Sequence, residues 1–416
     1  MKQLLVILIC LITLPSVAQQ SITLEECYQL VTTNYPLAQQ SQLLDSQNKL
    51  DAEVISTSKL PQFSLDAQAT YQSDVIEFPI AMSGIEPLSK DQYRATLSVN
   101  QLIYNGGATD ASLDLKSAQL KSKQKQVDIN LYQLKQQINQ LYFSILLAQE
   151  SNLLLNAKKE QLEAKLKEVK SGIKYGVVLP SSDKILEAEL LKIKQQFQEI
   201  KSNKTTLIET LSSLINQPLS DDIEFENLLI ETHLESSLKR PELELFQFKK
   251  EEIETSESLI SKQNAPKLFG FATGGYGNPG LNMLDNSFQA FYTVGIKLNW
   301  NVFDWNSNKK QRESLAINKD IVDNETEVFK LNTNIELNQQ QNEIDKIQSF
   351  ITSDLEIISL RKEVLKSADS QLKNGVITSS AYITELTNLY EDENTLIKHR
   401  IQLQLAKANY NIIKGQ

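Results

Sequence analysis

Few side chains in the sequence could support catalysis or bind a metal ion. The chain of 416 residues has 2 histidines, His233 and His399, and 2 cysteines, Cys10 and Cys27. The histidines are isolated, and the sequence offers neither a nucleophile–base–acid grouping nor a glycine-rich loop that would hold a phosphate. We therefore predict no catalytic residues, no metal site, no cofactor and no enzymatic activity.

Charge and composition narrow the remaining classes. The chain has 42 Lys and Arg against 52 Asp and Glu, a net charge of −10. Nucleic acid is not an expected partner, because its phosphates would repel an acidic surface. With 13 Gly and 10 Pro, the sequence has fewer residues that interrupt helices and strands than an average protein. This favours long uninterrupted elements.

The N-terminus has the pattern of an export signal. A short basic start precedes an apolar run at 4–14, and small residues follow at 15–18. The apolar run is too short to serve as a transmembrane anchor, so we interpret the segment as a signal peptide. The small residues mark the cleavage site, and the signal peptide would comprise residues 1–18. Cys10 lies in the middle of that run, so lipidation is not expected. Cleavage would leave Cys27 without a disulfide partner.

Glycine and proline, which interrupt helices, divide the chain into two similar halves. The uninterrupted runs are short, long and medium in each half, at 37–60, 108–171 and 181–217 and again at 242–265, 306–374 and 376–414. Pro36 and Pro241 are 205 residues apart, as are Tyr71 and Tyr276. This predicts a tandem duplication. We place the first repeat at 19–217, a connector at 218–240 and the second repeat at 241–416.

Apolar residues recur at every seventh position in the long and medium runs. One such row extends from Leu113 to Val169, and another from Ile344 to Leu372. The spacing is typical of a coiled-coil seam. A helix at 108–171 would be about 95 Å long, so we predict long antiparallel coiled-coil helices rather than a compact core.

Between the short and long helices, alternating residues predict strand pairs at 62–104 and 267–303. An ordinary sheet packed on helices would show the same alternation. Aromatic residues near the strand ends favour membrane strands instead; they are Tyr71, Tyr104, Tyr276, Trp300 and Trp305. Four strands cannot close a barrel. Two, three or four chains would therefore have to form a shared barrel of 8, 12 or 16 strands, respectively.

Several motifs resemble the TolC-type outer-membrane efflux protein family. They are Ile22-Thr23-Leu24-Glu25-Glu26, whose Thr23 and Glu26 also predict a helix capping box; Leu60-Pro61-Gln62; Val99-Asn100-Gln101-Leu102-Ile103-Tyr104-Asn105-Gly106-Gly107; Tyr175-Gly176-Val177-Val178; and Asn374-Gly375-Val376-Ile377. A second copy of the third motif, at 300–305, lacks the glycine pair.

The resemblance implies a homotrimer in the outer membrane. Each chain would contribute four strands to a 12-stranded β-barrel surrounded by lipid, and its helices to a periplasmic α-barrel, or tunnel, with the connector at 218–240 in an equatorial belt. The partners would be a periplasmic adaptor (membrane fusion) protein and an inner-membrane transporter. The chain would export small molecules such as drugs, or, as an alternative, secreted proteins in a type I system.

The family's adaptor-docking turns correspond here to 175–178 and 374–377, which we call the tip turns. The resemblance implies docking roles for Gly176, Val177, Val178, Gly375, Val376 and Ile377, with the valines and the isoleucine exposed. Glycines that reverse two antiparallel helices would also explain Gly176 and Gly375 without any docking.

Some family members close the tunnel with rings of aspartate beyond the second tip glycine. The matching positions here are Ala381 and Thr384, so that carboxylate gate is absent. Asp183, Asp369 and Glu385 lie nearby and are the candidate pore-tip acidic residues. A solvated helix face is the alternative interpretation of each.

A soluble periplasmic coiled-coil scaffold is a third hypothesis, from a different class of function. It explains the heptads and the export signal, but not the paired strands with aromatic ends. The sequence does not separate efflux from type I secretion.

Overall fold

A computed structural model describes residues 21–76, 87–232 and 237–416. The predicted signal peptide, Cys10 and His233 lie outside these residues. In chain order the elements are β1 (Ser21–Ile22), α1 (Leu24–Asn34), α2 (Ala38–Thr57), β2 (Gln62–Tyr71), β3 (Asp91–Tyr104), α3 (Ala108–Lys174), α4 (Ser182–Leu214), β4 (Glu224–Phe225), α5 (Pro241–Gln263), β5 (Lys267–Asn278), β6 (Gln289–Asn299), α6 (Ser307–Lys373) and α7 (Ser379–Lys414).

The order of elements repeats along the chain. A helix, an antiparallel strand pair, a long helix and a medium helix occur in the first half and again in the second. The two long helices, α3 and α6, are both 67 residues long. The predicted tandem duplication is confirmed.

Several element ends differ from their predicted positions by a few residues, and two of the differences have a clear local cause. Helix α3 continues through Gly172 to Lys174; a Cβ on Gly172 would lie 2.6 Å from the Val178 side chain, so this glycine permits close packing rather than ending the helix. Strand β6 ends at Asn299, short of the predicted 303. Its partner β5 begins opposite Asn299, and Pro266 before it has no N–H with which to extend the ladder.

The chain divides into two compact units. The helical unit comprises the described residues of Met1–Gln39, Val127–Pro241 and Val328–Gln416, and the sheet unit comprises those of Gln40–Gln126 and Glu242–Glu327. Helices α3 and α6 each contribute residues to both units.

Helix α1 begins with the predicted capping box. The Glu26 N–H donates to Thr23 Oγ1 (3.2 Å), and the Thr23 N–H donates to Glu26 Oε2 (2.8 Å). Nearby, the buried Tyr142 hydroxyl lies 3.1 Å from the carbonyl oxygen of Ile22 and 2.8 Å from that of Glu226. This hydroxyl links strand β1 and the segment after its parallel partner β4 to helix α3.

Residues at heptad spacing form an apolar core shared by four helices. All are buried; they are Leu155, Leu162 and Val169 on α3, Leu186 and Ile193 on α4, Ile358, Leu365 and Leu372 on α6, and Tyr382, Leu389 and Leu396 on α7. Because a seven-residue spacing keeps each row on one helix face, the predicted coiled-coil packing is confirmed.

The sheet unit contains an antiparallel sheet with strand order β2-β3-β5-β6. Alternate residues along each strand belong to opposite faces. One set, the apolar face, is apolar along the middle of each strand; it consists of Phe63, Leu65, Ala67, Ala69 and Tyr71, then Tyr93, Ala95, Leu97 and Val99, then Leu268, Gly270, Ala272, Gly274 and Tyr276, then Ala290, Tyr292, Val294, Ile296 and Leu298. The same set has polar residues only towards strand ends: Asp91 at the start of β3, Gln101 near its end and Asn278 at the end of β5. The alternate residues form the polar face. Ser98 and Thr273, whose hydroxyls are 3.2 Å apart, are two of its members.

Candidate functional site

The first tip turn connects α3 to α4. Gly176 has φ +75°, a left-handed conformation that glycine adopts without strain. Its N–H donates to the carbonyl oxygen of Ile173 (3.1 Å), and the Val177 N–H donates to that of Gly172 (2.9 Å). These bonds satisfy carbonyl groups that would otherwise be left without partners at the end of the helix.

The second tip turn repeats this geometry between α6 and α7. Gly375 has φ +69°, and its N–H donates to the Leu372 carbonyl oxygen (3.0 Å). The Thr378 hydroxyl accepts from the Ala381 N–H (3.2 Å) and caps α7. A Cβ on Gly375 would lie 3.3 Å from the Val177 carbonyl oxygen, so the structure brings the two tip turns together.

Only some of the predicted docking side chains are exposed. Val177 is 57% exposed and Val376 is 71% exposed. Val178 and Ile377 instead pack against the shared apolar core, so the prediction that they are exposed is wrong. For Val178 the reason is local, because the missing side chain of Gly172 opens a space that Val178 fills.

A groove of about 600 Å³ lies beside the first tip turn. Its lining includes Gly172, Tyr175, Val177, Leu372 and Lys373. Tyr175 is 75% exposed. The groove therefore combines apolar and aromatic side chains with charged ones, which also include Lys167 and Glu168. Aromatic residues are enriched in protein–protein interfaces, so the groove is suited to contact with another protein.

All three candidate acidic residues lie close to cations. Asp369 pairs with Lys165 and with Lys373, the latter at 2.9 Å. Burial raises the pKa of Asp369, but hydrogen bonds from these two lysines outweigh burial and hold it below the ordinary value. Asp183 lies 3.4 Å from the Lys184 ammonium group.

Glu385 is likewise paired. It lies 3.6 Å from the guanidinium group of Arg361, which also contacts Asp392 at 2.9 Å. In this structure the candidate acidic residues are therefore members of ion pairs rather than isolated carboxylates.

Sequence reasoning missed two lysines inside the helical unit. Lys158 is 5% exposed and Lys165 is 7% exposed. Lys158 contacts Glu189 on α4 (3.1 Å), and its ammonium group lies 4.7 Å from the ring centre of Tyr390 on α7. Lys165 pairs with Asp369 on α6 and lies 5.2 Å from the ring centre of Tyr382.

A sequence signal for these lysines did exist. Lys158 and Lys165 are seven residues apart, and each follows a buried leucine by three positions. That spacing places a lysine on the same helix face as the preceding leucine.

The remaining ligand-type residues have structural roles. His399 Nδ1 lies 2.6 Å from Asp354 Oδ2, so the histidine that is isolated in the sequence is paired in the fold. Cys27 is fully buried, and burial raises the pKa of its thiol to about 12. Within the described ranges, no three His, Cys, Asp or Glu side chains cluster where a metal ion could bind.

Within the same ranges, no helix combines the length and apolar character needed to cross a membrane.

Residues 29–216 match the family model "Outer membrane efflux protein". This match covers less than half of the 416 residues. The resemblance that the motifs indicate is thus confirmed. None of the curated proteins compared with the chain is a match.

Solved outer-membrane proteins share the fold over nearly the whole chain. The protein VceC from Vibrio cholerae is 13% identical with a TM-score of 0.66, covering 94% of this chain and 96% of that one. The CmeC outer membrane channel of Campylobacter jejuni is 15% identical with a TM-score of 0.64, covering 94% and 85%. The MtrE outer membrane channel of Neisseria gonorrhoeae is 14% identical with a TM-score of 0.64, covering 94% and 88%. At these identities the likeness confirms the fold.

Replacing Asp369 by Asn should destabilise the helical unit in a pH-dependent way. The variant removes the carboxylate partner of Lys165 on α6 and leaves the one on its own helix, Glu168 at 2.6 Å. Breaking a fully buried pair costs about 3–5 kcal/mol; because Glu168 stays and Asp369 is partly exposed, we expect a smaller loss of about 1–2 kcal/mol of unfolding free energy. The pKa of Asp369 is lowered in the fold, so its contribution is present above the unfolded value of about 3.9 and is lost as pH falls through the folded value.

Urea unfolding of both proteins between pH 7 and pH 3, followed by circular dichroism, measures this difference. The wild type should exceed Asp369→Asn by a constant amount down to about pH 5, and the gap should narrow below about pH 4. Asp45→Asn removes an exposed pair with Lys49 and serves as the control, with an expected cost below about 0.5 kcal/mol. An equal cost in both variants would contradict the role assigned to Asp369.

Proposed function

We propose that the chain is the outer-membrane exit channel of a tripartite efflux system. It would pass small molecules such as drugs to the exterior, together with a periplasmic adaptor and an inner-membrane transporter. The observation that carries this proposal is the apolar face of the sheet. Its side chains are not covered by the rest of the sheet unit: Leu65 is 76% exposed, Val294 is 72% exposed and Ile296 is 72% exposed.

Exposed apolar surface of this extent needs an apolar environment. Strands with one apolar and one polar face are typical of membrane barrels, where the apolar residues face lipid. Aromatic side chains at both ends of the sheet support the same placement. Tyr93 and Tyr276 stack on Phe288 at 6.2 Å and 5.6 Å, and beyond the other end of β6 Phe303 packs on Trp305 at 4.8 Å.

The edges of the sheet indicate that several copies cooperate. Within the described part of the chain, β2 and β6 each pair with a strand on one side only. Hydrocarbon does not tolerate unpaired backbone groups, so β6 of one copy would pair with β2 of the next. Three copies would close a 12-stranded barrel, in agreement with the homotrimer that the family resemblance implies.

The helical unit would then form the periplasmic part of the channel. In this proposal the signal peptide at 1–18 directs export, the repeats at 19–217 and 241–416 supply the tunnel helices, and the connector at 218–240 forms an equatorial belt. The pairing of β4 with β1 supports a structural role for the connector. The adaptor would dock on the exposed parts of the tip turns, at Val177 and Val376. Asp183, Asp369 and Glu385 stay candidates for the pore tip, each beside a cation.

A charge on the apolar face should block membrane insertion, whereas the same charge one residue away on the polar face should not. Val294 and Thr293 are neighbours on β6 and belong to opposite faces. A lysine facing lipid near the middle of a strand costs about 2–4 kcal/mol. We expect Val294→Lys to be depleted from the outer-membrane fraction and Thr293→Lys to be retained, as measured by immunoblotting of separated membranes. Retention of both, or loss of both to the same degree, would argue against a lipid-facing apolar surface.

Photo-crosslinking from the tip turns tests the proposed docking role. A photoreactive amino acid at position 177 or 376 should capture a periplasmic adaptor in intact cells, and mass spectrometry would identify it. The control is position 191, because Leu191 is 66% exposed on α4 and lies outside both tip turns. Capture of the same protein equally well from position 191 would contradict docking at the tip. The class of transporter recovered with the adaptor would separate small-molecule efflux from type I protein secretion.

A further inference from the structure

The polar face of the sheet carries more positive than negative charge. Its charged members are Arg94, Lys267 and Lys297 against a single carboxylate, that of Asp66. The whole chain has the opposite balance, with a net charge of −10. The positive face is therefore a local property of the sheet and not a consequence of composition.

These cations differ from the lysines on the helices of the same unit. Lys116 pairs with Asp51 at 3.2 Å, and Lys121 pairs with Glu251 at 2.6 Å. By contrast, Arg94, Lys267 and Lys297 have no carboxylate within 4.0 Å among the residues that the structure describes. Their charges are therefore available to an external anion.

Phenylalanine rings lie beside the cations on the same face. Glycines on β5 make this arrangement possible: Gly277 lies opposite Arg94, and Gly275 lies opposite Phe291. The Phe291 ring occupies the space that a Cβ on Gly275 would need, so the guanidinium carbon of Arg94 comes within 5.6 Å of the ring centre across β5. Lys297 lies directly opposite Phe269 in the register of β5 and β6.

We infer that this face is a binding surface for organic anions that combine a flat apolar or aromatic body with a carboxylate or sulfonate. The guanidinium group of Arg94 can donate two parallel hydrogen bonds to such a group, and it keeps its charge at all relevant pH values. The phenyl rings provide stacking surface for the apolar body. The inference rests on the proposed function, in which the polar face lines the pore and every copy repeats the set of cations and rings. Field lines focused in a narrow pore would then favour anions over cations.

Conductance of the purified full-length protein in planar lipid bilayers tests the inference. Under a KCl gradient, the double variant Arg94→Gln/Lys297→Gln should shift the reversal potential towards cation preference relative to the wild type. The control variant Lys49→Gln/Lys121→Gln removes the same charge from the helices and should leave the reversal potential unchanged. Equal reversal potentials in all three proteins would overturn the inference while leaving the channel intact. No conductance from any of them would overturn the proposed function itself.

Block of the current by naphthalene-1-sulfonate tests the aromatic part of the surface. In the wild type it should block at lower concentration than the cation 1-naphthylmethylammonium. Phe291→Ala should weaken block by the sulfonate about fivefold, whereas Phe291→Tyr should preserve it, because stacking on one ring is worth about 1 kcal/mol. The double variant Arg94→Gln/Lys297→Gln should weaken block by the sulfonate about tenfold, because a charge-assisted contact is lost. Equal block by the anion and the cation, unaffected by these substitutions, would contradict the assignment.

Discussion

Backbone groups at the edges of the sheet are the constraint on which the account of this protein depends. Four strands with one apolar face cannot hide that face, and among the described residues their outer strands leave N–H and C=O groups without strand partners. In water the apolar face would promote aggregation, and in lipid the open edges would be costly. Both costs disappear only when other copies extend the sheet until it closes. In the proposed membrane placement, oligomerisation is therefore a requirement of the fold rather than an addition to it.

The helical unit meets a different constraint, because its apolar core contains charge. Burying an ammonium group is costly unless a carboxylate and further contacts replace water. Lys158 and Lys165 each contact a carboxylate on another helix and the face of a tyrosine ring. Purely apolar heptads can slide by one repeat, whereas these pairs form in one alignment only. We interpret the two lysines as the residues that fix how α3 aligns with α4, α6 and α7.

The sequence was sufficient to predict the features that produce a periodic pattern of residues. Heptads located the long helices, alternation located the strand pairs, and equal spacing of proline and tyrosine revealed the duplication. It did not predict which tip side chains turn inward, because Val178 packs into a space left by Gly172, whose spacing carries no periodic signal. Nor did it explain why β5 contains several glycines. Their role depends on Arg94 and Phe291, which meet only after β3, β5 and β6 have paired.

The mass of the detergent-extracted complex tests the central claim most directly. Outer membranes would be separated from the soluble periplasm, the protein extracted in mild detergent, and its mass determined by light scattering corrected for bound detergent. Our account predicts a membrane-embedded assembly of three chains, whose twelve strands close one barrel. Two or four chains would contradict the 12-stranded closure. A water-soluble monomer or dimer in the periplasm would contradict the channel and support the scaffold instead.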